Sequence, residues 1–146
     1  MRLEGWERRL LAVIDDARAR PYALGEHDCF RLACSAVQAL TGADLWTYWA
    51  GKYKTRREAL RLLAEFALLP HGATALEVFT AAAGRLFHTR LESPRRACRG
   101  DIMEYIDPPS GEPHLGVCVG AHAAVLGEHG LAFVPITRCE GCWRID

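Results

Sequence analysis

Cys29 is the residue whose surroundings most readily do chemistry. It falls where a glycine-containing loop, PYALGEHDC (residues 21–29), turns into a helical segment. The unpaired amides and the dipole at a helix start lower a thiol's pKa and favour thiolate. Those same amides can hold the oxyanion that forms when sulfur attacks a carbonyl. His114 precedes LGVCVG, an alternation typical of a strand, so its ring is expected at a strand start. A cysteine on a helix start and a histidine on a strand can face each other across a domain interior, the geometry of a cysteine hydrolase. A surface histidine in the turn after Pro113 is the alternative. His27 and Asp28 flank the thiol; adjacent side chains diverge, which favours a loop role for His27 over that of a second base.

The other reactive pattern is Cys139-Glu140-Gly141-Cys142. C-x-x-C can be half of a zinc or iron–sulfur site, or a redox pair. There is no second C-x-x-C, so Cys98, Cys118 or a histidine would have to converge on it. A tight turn bearing two ordinary thiols is the simpler reading, and we expect no metal and no cofactor.

The first half of the chain should be helical. Leu3, Trp6, Leu10, Val13, Ile14 and Ala17 make an apolar stripe that stops before Pro21. A second helix should start near Asp28, with Phe30, Ala33, Cys34, Val37 and Leu40 on its inner face and Gly42 past its end. After an aromatic connector, DLWTYWAGKYK (residues 44–54), Thr55 and Glu58 form a T-x-x-E capping pattern opening a helix to about Leu69. Thr74 and Glu77 open a shorter one that fades at Gly84. Beyond it, DIMEYID, HLGVCVG, AAVLG, LAFVPI and CWRID are short runs divided by Gly and Pro, as in an antiparallel sheet. Helices followed by strands imply an α+β fold in which N-terminal helices pack on a C-terminal sheet. Of the connector aromatics Trp46, Tyr48, Trp49 and Tyr53, at least two should be core.

With 146 residues the chain fits one domain. Eighteen basic and eighteen acidic side chains balance, leaving no global field to draw in nucleic acid. Arg8-Arg9, Arg56-Arg57 and Arg95-Arg96 read as solvated faces. No apolar run approaches the roughly 20 residues that cross a bilayer. The charged N-terminus lacks a signal peptide's apolar core, so synthesis and folding in the cytoplasm are expected, with the six cysteines as thiols.

These segments resemble a known family. PYALGEHDC resembles the P-Y-x-W-G…D-C segment of NlpC-type cell-wall cysteine peptidases. RGDIMEY (residues 99–105) resembles the P-G-D-hydrophobic run that opens their sheet, and HLGVCVG is similar to their H-V-G-I-Y-h-G strand. The short length, TGADLWTYWAGKY (residues 41–53) and the closing CWRID resemble a small phage and prophage branch found among tail-tip genes. The resemblance implies a papain-like fold over residues 1–146, with Cys29 as nucleophile and His114 as general base. It implies Tyr22 and Asp28 beside the thiol in contact with substrate, and a structural Asp101 in the loop entering the sheet.

The implied activity is amide hydrolysis in peptidoglycan stem peptides. The implied partners are tail-tip hub or baseplate proteins, the chain being made in the host cytoplasm and incorporated into the virion tail tip. The sequence departs from the family pattern in three places. D-C-S-G reads Asp28-Cys29-Phe30-Arg31, so Phe30 and Arg31 should narrow or redirect the substrate pocket. The tryptophan of P-Y-x-W-G is Leu24. The polar residue that orients the histidine, about a dozen residues on, lands near the apolar Leu126, with His122, Glu128 and His129 as nearby polar options. A fold kept for tail-tip assembly is the alternative to a hydrolase.

Overall fold

The computed structural model describes residues 1–70 and 72–146. Four helices come first: α1 (Trp6–Ala19), α2 (Cys29–Thr41), α3 (Arg56–Phe66) and α4 (Ala75–Phe87). Six strands follow: β1 (Thr89–Arg90), β2 (Ile102–Ile106), β3 (Pro113–Cys118), β4 (His122–Gly127), β5 (Gly130–Pro135) and β6 (Gly141–Arg144). They form one antiparallel sheet in the order β1-β6-β2-β3-β4-β5. The fold is α+β. Among the described residues no helix is long and apolar enough to cross a membrane.

α2 is the helix that organises the domain. Asp28 caps its start by accepting from the Arg31 amide, and Gly42 ends it in the left-handed conformation that glycine adopts at low cost. Its buried face packs against β3 and β4. Strand alternation divides the sheet's side chains into two sets. Ile102, Leu115, Val117, Ala124 and Leu126 turn toward the helices and join the main core. Met103, Cys118, Ala123, Val125 and Cys142 form a second cluster on the opposite face, joined by Cys139.

Three boundaries differ from the sequence reading. α3 stops at Phe66 rather than Leu69, because Leu68 takes a left-handed φ of 59° that breaks the helix. α4 does not fade at Gly84 but runs on to Phe87. There Gly84 lies against the Trp143 ring, which a Cβ would approach to 3.3 Å. The helix accepts the glycine to seat the indole. The two-residue β1 carries no alternation of its own and exists by pairing with β6.

Asp101 joins the ends of the chain. Its fully buried carboxylate accepts from the Cys98 amide (2.8 Å), the Ile145 amide (3.1 Å), Arg2 Nη2 (3.0 Å) and Arg144 Nε (3.0 Å). Arg2 also donates to the carbonyls of Ile145 and Arg99. The N-terminal segment, the loop before β2 and the chain after β6 thus meet at one anion.

Candidate functional site

Cys29 is the first residue of α2, and the loop before it is fixed by Asp28. The Asp28 carboxylate is buried and accepts three hydrogen bonds: the Gly25 amide (2.8 Å), the Arg31 amide (2.9 Å) and the Tyr53 hydroxyl (2.5 Å). One anion therefore holds the loop, the helix start and the aromatic connector together. Gly25 has a φ of 85°, and a Cβ there would lie 2.3 Å from the Tyr53 carbonyl oxygen. Only glycine lets the two segments approach so closely.

Cys29 and His114 line one pocket of about 40 Å³. Its walls include Leu24 from the loop, Phe30 from α2, Trp49 and Tyr53 from the connector, Leu60 and Leu63 from α3, and Phe79 from α4. On the other side of His114 lies a larger groove of about 330 Å³ lined by Asp107, Glu112, Glu128 and His129 among others. Tyr22, Leu24, Arg56 and His114 belong to both spaces and form the partition between them.

Cys29 is 8% exposed as a residue, and its thiol pKa is pushed up to about 12 by burial and then by the neighbouring Asp28 charge. The Leu115 amide, the Arg56 charge and the Cys29 amide pull the other way without prevailing. This corrects the expectation that the helix start makes Cys29 a thiolate. A helix terminus supplies about 0.3–2 kcal/mol to a charge, whereas full desolvation shifts a pKa by up to about 3–5 units. Burial wins. Iodoacetamide modification of Cys29 in the folded protein should therefore accelerate about tenfold per pH unit from pH 7 to 10, followed by peptide mass mapping. A plateau near neutral pH would reveal a resting thiolate instead.

His114 is half-buried, and its pKa is lowered by burial and by the Arg56 charge, against smaller opposing effects of Asp107, Glu112 and Glu128. Arg56 donates from Nε to Glu112 (2.9 Å), places Nη2 3.4 Å from the Pro113 carbonyl and lies over the Phe79 ring. It clips the start of α3 to the start of β3. The sequence reading took Arg56 for a solvated face; the signal that could have singled it out is its place at the start of a capped helix next to the aromatic connector. Tyr22 reaches both spaces, and its hydroxyl pKa is pushed up to about 12 by burial first and then by Cys29 and Asp28.

The strand register corrects the expected orienting position. Gly116 pairs with Val125 and Val117 with Ala124, so continuing the ladder sets His114 opposite Gly127 rather than Leu126. Leu126 faces the helices. A Cβ on Gly127 would meet nothing within 4 Å. Among the described residues the His114 ring makes no hydrogen bond to another side chain. Glu128 and His129 stand exposed in the hairpin beyond Gly127, on the groove that His114 lines. His122 lies at the far end of β4, five residues from Gly127 and thus ~17 Å along the strand.

The remaining candidates lie elsewhere. His27 places Nε2 3.3 Å from the Ala17 carbonyl and faces a cleft between α1 and α2. Phe30 narrows the pocket, packed edge-on against Trp49, while Arg31 lies over Trp46 and lines the α1–α2 cleft instead. Trp49 and Tyr53 are buried, and Tyr48 is exposed. Cys139 and Cys142 are buried free thiols in the second cluster, with burial pushing them up to about 12 and about 11. Cys142 donates to the Ser93 carbonyl. Among the described residues no group of three or more His, Cys, Asp and Glu is arranged to hold a metal ion.

No curated protein and no solved structure matches the chain. Residues 1–145 match the family described as a domain of unknown function, DUF6950, and the chain belongs to that family.

Proposed function

We propose that this chain is a cysteine hydrolase with a papain-like fold of NlpC type, cleaving amide bonds in peptidoglycan stem peptides from a place in a phage tail tip. The observation that carries the reading is that Cys29 and His114, distant in sequence, both line one pocket. The cell-wall substrate and the tail-tip setting, with hub or baseplate partners and synthesis in the host cytoplasm, rest on the motif resemblance.

The raised thiol and lowered imidazole set the resting state as a neutral pair. His114 takes the thiol proton as sulfur attacks, so that the S–C bond forms without a standing ion pair. The oxyanion is held by the Cys29 amide, with the Tyr22 hydroxyl as second donor; its raised pKa keeps that proton in place. Collapse breaks the C–N bond, and the imidazolium gives its proton to the departing amine. Water, deprotonated by His114, then attacks the thioester; the C–S bond breaks and the thiol is restored.

The test is release of soluble fragments with new amine termini from purified peptidoglycan. The wild-type protein should release them and Cys29→Ala should release none while keeping its melting temperature. Equal release by Cys29→Ala would overturn the mechanism. A second reading, an inert tail-tip component, is favoured by the protonated thiol and by the absence of a side chain at Gly127 to orient His114. Wild-type protein that releases nothing would favour that reading.

A further inference from the structure

We infer that the pocket beside Cys29 receives the acyl-side side chain of the substrate and restricts it to a small aliphatic group, between methyl and isopropyl. This inference deepens the proposed function and rests on Cys29 being the nucleophile. Its first support is size and chemistry. The space is about 40 Å³ and its inner walls are Leu24, Phe30, Trp49, Leu60, Leu63 and Phe79. An engineered apolar cavity of about 150 Å³ binds benzene, and a space of about 40 Å³ is much too small for an aromatic ring. The polar groups that also line it are largely engaged, Asp28 with Tyr53 and two amides and Arg56 with Glu112, so a charged or amide side chain would lose its water there for little return.

The second support is direction. His114 stands in the partition between pocket and groove. The amine it protonates must leave past the imidazole, into the groove, where Asp107 and Glu128 suit a cationic product, Glu112 being paired with Arg56. The half of the substrate left bound to sulfur is the acyl half, and the pocket is the space on its side.

The third support is rigidity. Trp49 is 2% exposed and held edge-on by Phe30 and Phe66, each with ring centroids 5.2 Å away. Widening this wall means repacking the core. Leu60, half-buried on α3, is the wall residue that substitution can change most cheaply.

The probes are p-nitrophenyl esters of acetic, isobutyric and phenylacetic acid, read by p-nitrophenolate release and by the acyl mass gained on Cys29, with Cys29→Ala as background. Corrected for intrinsic reactivity, the acetyl and isobutyryl esters should acylate Cys29 at similar rates and the phenylacetyl ester at least ~tenfold more slowly. Leu60→Ala should raise the phenylacetyl rate several-fold, and Leu60→Phe should depress isobutyryl more than acetyl; melting curves check that both variants fold. Phenylacetyl transfer as fast as acetyl, or a profile that ignores both Leu60 variants, would overturn the inference. A size-selective profile with peptidoglycan left intact would keep the pocket and remove the cell-wall substrate. Peptidoglycan cleavage without size selection would do the reverse. No acylation by any ester would remove both.

Discussion

Replacing Asp101 with alanine should lower folding stability by about 3–5 kcal/mol, the cost of removing one partner from a buried ionic cluster. The carboxylate satisfies two guanidinium groups and two amides. Its removal leaves the Ile145 amide buried without an acceptor and brings two cations together without their shared anion. A domain of this size has about 5–15 kcal/mol in total, so much of the stability rests here. Arg2 and Arg144 are partly exposed, which lets water repay some of the loss. Urea titration followed by circular dichroism measures it, and a loss below about 1 kcal/mol would show that solvent replaces the carboxylate fully. Asp101 lies outside the Cys29 pocket, so per folded molecule the variant should keep its reactivity toward acetyl ester.

In the proposed hydrolysis the largest effect on turnover, short of removing the nucleophile, should come from His114→Gln. With the thiol held near 12, almost none is ionised at neutral pH, and the base must act in every turnover. Losing a general base costs about 10²–10⁴ in rate, read as kcat on the fastest substrate found. The pH profile carries the sign. Because burial and Arg56 lower the His114 pKa, the ring stays neutral where an ordinary histidine, near 6.5, would be protonated. The acid limb should fall below pH 6.5, and Arg56→Gln should move it upward. An acid limb above 6.5 in the wild type would contradict this placement of the imidazole.

Much of the fold was legible because its signals are local. Asp28 and Gly42 bracket α2 through their own capping chemistry, and Thr55 and Thr74 do the same for the starts of α3 and α4. The five apolar runs became β2 to β6 because alternation is a property of each run alone. What the sequence hid depends on distant partners. The continuation of α4 through Gly84 needs the indole of Trp143. The pairing of His114 with Gly127 depends on how β3 and β4 slide past each other, and one residue of slip exchanges the two faces.

For the site, the residue types were readable but their ionisation was not. A helix start argues for thiolate, and only the assembled walls of Trp49, Leu63 and Phe79 show how completely Cys29 is dehydrated. Arg56 escaped notice for a related reason. In the chain it is one of two adjacent arginines, and its link to Glu112 and Pro113 appears only once α3 meets β3.

The bare backbone at Gly127 has an evolutionary corollary. Every glycine codon lies one base from a codon for aspartate or glutamate, and the first carbon of either side chain would meet nothing within 4 Å. A lineage carrying this gene therefore stands a single transition away from giving its imidazole an anionic companion, and the reverse change would silence such a companion just as easily. Under the proposed mechanism, catalytic strength in this scaffold can drift up or down while the architecture stays put.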